Sequence, residues 1–146
     1  MKKGFTLIEL LIVLAIIGLL ASVILVGLGG FRARGRDARR IADLRETQNA
    51  LELYYTQKNY YPSVTGTDSW ASLQSSLIGA GIGVATIPND PLSPSQTYQY
   101  GIPGNNNQSY VLQALLEDSG NPALKDDIDG NHYGIVCDDP AYCIMF

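Results

Sequence analysis

Three groups of side chains in this sequence have the types and spacing that chemistry requires. The first is Glu9, a carboxylate directly ahead of 22 uncharged residues that extend from Leu10 to Phe31. The second is the acidic segment Asp126-Asp-Ile-Asp-Gly-Asn131. The third is a pair of cysteines, Cys137 and Cys143, six positions apart. These groups could serve charge pairing in an apolar medium, cation binding, and either a disulfide or a metal pair.

The sequence contains no recognisable catalytic constellation. It has one histidine, His132, and shows no Ser-His-Asp grouping, no phosphate-cradling glycine loop and no paired catalytic carboxylates. A chain of 146 residues is also too short for two enzymatic domains. We therefore expect a protein that is not an enzyme and that requires no cofactor.

Charge and hydropathy are distributed unevenly along the chain. Residues 1–58 carry nine of the ten Lys and Arg against five acids, whereas residues 59–146 carry one Lys against nine acids. The uncharged run matches the roughly 20 residues that a helix needs to cross a bilayer. It is longer than the core of a secretory signal peptide and lacks a small-residue cleavage site, which favours a retained membrane helix. Glu9 must then either snorkel to the headgroups or have a partner that neutralises it.

The first 18 residues, Met1-Lys-Lys-Gly-Phe-Thr-Leu-Ile-Glu-Leu-Leu-Ile-Val-Leu-Ala-Ile-Ile-Gly, resemble the amino-terminal signal of type IV pilins and type II secretion pseudopilins. The resemblance implies that residues 1–4 are a leader, which prepilin peptidase removes after Gly4. It implies that the same enzyme methylates the new terminal amine of Phe5. It also implies that Glu9 faces the terminal amine of an adjacent subunit in a filament.

The expected architecture is α+β and type IV pilin-like, with a long N-terminal helix packed on a small antiparallel sheet. The resemblance and the hydropathy pattern together divide the chain into four parts: leader 1–4, transmembrane or filament-core helix 5–31, amphipathic stem helix 32–58 and globular head 59–146. Proline is absent before Pro62, which favours one continuous helix over 5–58. Apolar residues recur on the stem at helical spacing, at Ile41, Leu44, Leu51 and Tyr55.

The head contains patterns of both helix and strand. Residues 69–77 predict a short helix with Trp70 and Leu73 inward. Alternating apolar residues in 98–102 and again in 110–116 predict a hairpin. We expect a third strand around 133–137 to complete the sheet.

The cysteines and the acidic segment admit more than one interpretation. An exported head favours a disulfide between Cys137 and Cys143 over a metal pair. The acidic segment has the composition of a Ca²⁺ site, although its spacing is not that of an EF-hand. The segment offers four candidate ligands, Asp126, Asp127, Asp129 and Asn131. Major pseudopilins hold calcium near the carboxy terminus, so the resemblance supports a calcium site in this segment. The competing explanation is a solvated Asp/Gly/Asn-rich turn.

Six arginines follow the apolar run at positions 32, 34, 36, 39, 40 and 45. Basic clusters sometimes bind nucleic acid, but a cluster directly beyond a membrane helix favours contact with lipid headgroups and pairing between subunits. We expect Arg36 or Arg40 to pair with acids of a neighbouring head, and we expect no nucleic-acid partner.

These observations and the resemblance predict a structural subunit of a type IV pilus-like filament, which could be a pilus, a type II secretion pseudopilus or a DNA-uptake filament. The implied partners are other copies of the chain, prepilin peptidase, an assembly platform with its ATPase, and the membrane. The resemblance implies an inner-membrane precursor with its amino terminus inside and its head outside, and then a periplasmic or extracellular filament. Counting positive charges alone predicts the reverse orientation. The alternative function is a membrane-anchored monomer whose exported acidic head binds a ligand such as Ca²⁺.

Overall fold

The computed structural model describes residues 4–63, 69–104 and 107–146, and the side chains of all of these except 23–28. Residues 1–3, which belong to the expected leader, lie outside the described part of the chain. The chain divides into two compact units, Met1–Gly35 and Arg36–Phe146. We call them the N-terminal unit and the head unit.

The first helix, α1, extends over Leu7–Lys58 and contributes to both units. The helix predicted over 5–58 is therefore confirmed, with a start two residues later than expected. It ends where Asn59 adopts a left-handed conformation at φ 61° and donates its N–H to the carbonyl of Tyr55 at 2.8 Å. Asparagine tolerates this conformation better than most residues, which makes it suitable for terminating a helix.

The head unit contains the rest of the regular structure in the described residues. Its elements are α2 (Ser69–Gly79), β1 (Gln99–Gly101), β2 (Val111–Leu115), a short 3₁₀ helix (Pro122–Lys125), β3 (Asn131–His132), β4 (Ile135–Val136) and β5 (Ala141–Met145). The fold is α+β, as expected, and the short helix predicted over 69–77 is confirmed, with Trp70 and Leu73 buried.

The main sheet has three antiparallel strands in the order β1-β2-β5. Tyr100 pairs with Leu112, and Leu112 pairs in turn with Ile144. The predicted hairpin is thus confirmed as β1 and β2. The expected third strand at 133–137 is wrong: β5 takes that place, while β3 and β4 form a separate two-stranded hairpin.

Each face of the main sheet packs against a different group of residues. One face contributes Leu112, Ala114 and Ile144 to a core shared with residues of α1 and α2. The other face contributes Val111 to a smaller cluster, which holds Ile135, Cys137 and Cys143. The sheet is therefore covered on both sides, by helices on one side and by the carboxy-terminal segment on the other.

The part of α1 in the head unit packs one face into the larger core. Leu44 and Leu51 are fully buried, as the apolar spacing predicts, and Ile41 and Tyr55 are half-buried. The same face continues toward Arg36 with polar and charged residues that are also buried. These residues are Asp37, Arg40, Asp43 and Thr47.

Candidate functional site

The carboxylate of Glu9 caps the amino-terminal end of α1. The N–H of Thr6 donates to Glu9 Oε2 at 2.8 Å, and the Thr6 hydroxyl donates to the same oxygen at 2.6 Å. The N–H of Glu9 donates back to Thr6 Oγ1 at 3.4 Å. This reciprocal arrangement is a capping box. The sequence analysis missed it, although a Thr followed three residues later by a Glu before an apolar run is its signature.

The expected processing position lies just outside this helix. Gly4 and Phe5 are exposed and precede the start of α1 at Leu7. Because the capping box sets the start of the helix, the peptide bond between these two residues is in irregular backbone. A peptidase that acts on an extended segment could therefore reach it without unwinding α1.

The N-terminal unit presents an extensive apolar surface. Leu7, at 78% exposure, leads a series of exposed aliphatic side chains that includes Ile8, Leu10, Leu11, Ile12, Val13, Leu14, Ile16, Ile17, Leu19 and Leu20. A contiguous exposed surface of this kind marks a site of contact with a membrane or another protein. Across the residues that the structure describes, however, no helix is both long and apolar enough to span a bilayer.

A buried polar network in the head unit is centred on Arg40. Its guanidinium donates to Asp90 at 2.7 and 3.2 Å, to Asp37 at 2.8 Å, and to Glu117 and Gln96 at 2.7 Å each. An arginine has five N–H donors, and these five contacts use all of them. A fully buried guanidinium therefore has a complete set of partners, which is the condition for burying a charge at acceptable cost.

Four further hydrogen bonds extend this network to the segment after β2. Asp37 accepts the backbone N–H groups of Glu117 at 2.9 Å and Asp118 at 3.0 Å. Arg36 donates to both carboxylate oxygens of Glu117 at 2.7 and 2.5 Å. Hydrogen bonds from Arg36 and Arg40 lower the pKa of Glu117 to about 2. The network thus connects the stem to two segments that are distant in sequence, the loop with Asp90 and the segment after β2 with Glu117.

The expectation that Arg40 pairs with a neighbouring head is wrong, whereas such a pairing of the half-buried Arg36 stays a prediction. Both side chains find their carboxylates within the same head unit, and the Arg40 side chain is completely buried. An arginine in that position stabilises the fold of its own chain. The sequence showed the charge of this segment, but it did not show which distant acids would return to it.

The two cysteines form the expected disulfide. The bond joins Cys137, which follows β4, to Cys143, which lies within β5. It therefore connects the carboxy-terminal segment to the edge of the main sheet. The last three residues of the chain are apolar. Ile144 is buried, whereas Met145 and Phe146 are exposed.

The acidic groups assemble differently from the predicted set. Asp127 and Asp129 come together with Asp139, and their carboxylate oxygens lie within 4.8 Å of one another. Asp126 does not belong to this cluster. The Asn131 side chain accepts the N–H of Gly134 at 3.2 Å. The position that the sequence analysis omitted, Asp139, lies in the loop between the two cysteines.

The environment of Asp127 fits a cation that prefers oxygen ligands. Its Oδ2 accepts the N–H of Cys143 at 2.9 Å, whereas its Oδ1 is buried without a hydrogen-bond partner among the described residues. Burial raises the pKa of this carboxyl; the Cys143 N–H opposes the effect, and the charges of Asp129 and Asp139 add to it. An orphaned buried oxygen beside two more carboxylates is the donor set that Ca²⁺ prefers.

The fold and these contacts define a class of protein. A long amino-terminal helix carries a capped glutamate and exposed apolar residues, and its second part packs into a small α+β head closed by a disulfide. This is the architecture of a type IV pilin-like subunit.

The comparisons with known proteins agree with that class. Residues 1–25 match the family described as the prokaryotic N-terminal methylation motif. The chain is 29% identical to the type II secretion system core protein G of Klebsiella pneumoniae, across 87% of this chain and 92% of that protein. It is 28% identical to the protein of the same name from Aeromonas hydrophila, across 86% and 95%. It is 46% identical to the type IV wide pilus major component PilA4 of Thermus thermophilus, across 42% and 47%.

No solved structure matches the chain. The chain is thus similar to type II secretion pseudopilins over most of its length, and to type IV pilins over its amino-terminal part.

Proposed function

We propose that this chain is a structural subunit of a type IV pilus-like filament, either a pilus or a type II secretion pseudopilus, and that it polymerises through its N-terminal unit. The observation that carries the proposal is the exposed apolar surface of that unit, with Glu9 beside its start. Burying such a surface against copies of itself is strongly favourable, at about 25 cal/mol per Å² of apolar area. The relatives are named as secretion-system and pilus components, which supports a structural rather than an enzymatic role.

Processing at Gly4 prepares the chain for assembly. Prepilin peptidase hydrolyses the bond between Gly4 and Phe5, and it methylates the amine of Phe5. Removal of Lys2 and Lys3 eliminates two charges that an apolar filament core could not solvate. The exposed, non-helical position of Gly4 and Phe5 supports this step.

The precursor is anchored in the inner membrane by its apolar segment, with the amino terminus inside and the head outside. Its further partners are the assembly platform and ATPase that extract the subunit into the filament. The disulfide supports an exported head, because such bonds persist in oxidising compartments. The burial of Arg40 and the pairing of Arg36 within the head speak against a nucleic-acid surface built on these two residues.

Glu9 exchanges its capping contact for a partner in the filament. In the free chain its carboxylate accepts hydrogen bonds from Thr6, and on assembly it faces the terminal amine of an adjacent subunit. A carboxylate and an amine that are both removed from water lower the cost of burying each other. The capping contacts keep the charge hydrogen-bonded until that amine arrives.

The experiment compares Glu9→Ala with Glu46→Ala, a matched change at an exposed glutamate of the same helix. We expect Glu9→Ala to abolish surface filaments, seen by shearing and electron microscopy, while the membrane fraction still contains folded, disulfide-bonded protein. Glu46→Ala should assemble normally. Normal filaments from Glu9→Ala would overturn the assembly role, and the absence of filaments from the native chain would favour a membrane-anchored monomer.

We also propose that the head binds Ca²⁺ through Asp127, Asp129 and Asp139. The support is the convergence of three carboxylates and the buried, unpaired Oδ1 of Asp127. A bound divalent cation would offset the repulsion among these charges and would join the 127–129 segment to the 137–143 loop. Adding CaCl₂ to the calcium-depleted full chain in detergent should raise its Tm, and an unchanged Tm would contradict the proposal.

A further inference from the structure

Each cysteine of the disulfide holds part of the acidic segment through its backbone. The N–H of Cys143 donates to the Oδ2 of Asp127 at 2.9 Å. The N–H of Cys137 donates to the carbonyl of Gly130, the residue after Asp129, at 2.7 Å. The two ends of the covalent bond are therefore also the two points at which the acidic segment is fastened.

The third carboxylate of the cluster belongs to the loop that the disulfide closes. Asp139 lies between the cysteines, and its neighbour Asp138 accepts the N–H of Gly130 at 3.1 Å through Oδ1. Carboxylate oxygens of residues 127, 129 and 139 then lie within 4.8 Å of one another. Charges of the same sign at such distances repel, so the arrangement needs a constraint that holds the two segments together.

The disulfide is placed to supply that constraint. Both cysteines are buried in the smaller core beside Val111 and Ile135. Cys143 lies in β5, which pairs with β2 through five residues, whereas Cys137 lies outside the strands. The bond therefore attaches the segment that carries Asp139 to a strand that the main sheet already holds.

We propose that the disulfide is a clasp that assembles a divalent-cation site from Asp127, Asp129 and Asp139, so that the affinity for the cation depends on the bond. This inference rests on the proposed binding of Ca²⁺. It gives the bond a role in the carboxy-terminal segment beyond the closure of a short loop. Cation and disulfide then stabilise the same arrangement, and each strengthens the other.

The first test is calcium binding to the full chain in detergent after treatment with EGTA, measured by isothermal titration with CaCl₂. The native chain is compared with the double variant C137S/C143S and with Asp126→Asn, a control that removes a neighbouring acid outside the cluster. We expect Asp126→Asn to bind like the native chain and the double variant to bind at least tenfold more weakly. Far-UV circular dichroism checks that the double variant is folded.

The outcomes separate the two proposals. Absence of binding to the native chain overturns both the calcium site and the clasp. Binding of equal affinity to the native chain and a folded double variant overturns the clasp alone. Tenfold weaker binding by Asp126→Asn would mean that the ligand set is wrong, and this would overturn the assembly of the site from these three residues.

A second measurement covers the case in which the double variant does not fold. The native disulfide is equilibrated with dithiothreitol, whose two thiols become a cyclic disulfide as they pass two electrons and two protons to the cysteines. Alkylation and intact mass then give the reduced fraction. Because coupling is reciprocal, saturating CaCl₂ should shift the equilibrium at least tenfold toward the disulfide. An equilibrium independent of CaCl₂ would overturn the clasp.

Discussion

The guanidinium of Arg40 donates to both carboxylate oxygens of Asp90, at 2.7 and 3.2 Å, although 50 positions separate the two residues and both are buried. Asp90 also accepts the N–H of Leu92 at 2.7 Å, which fixes the turn that carries it. The stem helix is therefore joined to the loop ahead of the sheet by a charged contact within the head.

Replacement of Arg40 by Met should destabilise the head severely. It leaves the buried carboxylates of Asp37 and Asp90 without their cation, and breaking a buried ion pair in this way costs about 3–5 kcal/mol. Denaturant unfolding of the full chain in detergent, followed by the fluorescence of Trp70, measures the loss. Arg39→Met is the matched control, because the Arg39 side chain is 63% exposed and its Nε lies 3.7 Å from Oδ2 of Asp43. Equal stabilities of the two variants would contradict this account of the network.

Stability should fall in acid through Glu117. Its pKa in the folded chain is about 2, well below the ordinary value of 4.5, because Arg36 and Arg40 donate to its carboxylate. A group with a lowered folded pKa stabilises the fold fully above its unfolded pKa, and this contribution disappears as the pH falls toward 2. Thermal unfolding between pH 7 and about pH 2 should therefore show a steeper acid loss in the native chain than in Glu117→Gln. Identical pH profiles would show that Glu117 is not held by the arginines.

The face of α1 that packs on the sheet should be sensitive to truncation. Leu51 is fully buried, whereas Leu53 on the same helix is 51% exposed. Leu51→Ala should cost about 2–5 kcal/mol, since it leaves a cavity in the core. Leu53→Ala should cost far less in the isolated subunit. Denaturation under the same conditions gives the free energy of unfolding of each variant. Similar values for the two variants would contradict the assigned packing.

The elements with a regular hydrophobic period could be predicted from the sequence. The stem helix and the helix with Trp70 each bury one face, which leaves a period of 3.6 in the residues, and the residues of β1 and β2 that line the larger core recur with a period of 2. Strand β5 was missed for the opposite reason. Four of its residues, Ala141 to Ile144, are buried, so that no alternation distinguishes its two faces.

The side-chain site could be predicted only where its partners are close in sequence. Cys137 and Cys143 were paired correctly, and Asp127 and Asp129 were correctly grouped. Asp139 was omitted because it joins the cluster only after the chain has turned back. The helical spacing of the buried stem residues does continue through Asp37 and Arg40. Charged residues at such positions nevertheless suggest a solvated face until their distant partners are known.

In the proposed function, the chain is processed at Gly4 and then assembles as a filament subunit. Intact mass spectrometry with terminal peptide mapping, on protein sheared from the native cell surface, tests it most directly. We predict a chain that begins at N-methylated Phe5, with Cys137 bonded to Cys143. A surface-exposed chain that still begins at Met1 would contradict the account, because no prepilin peptidase would have acted on it.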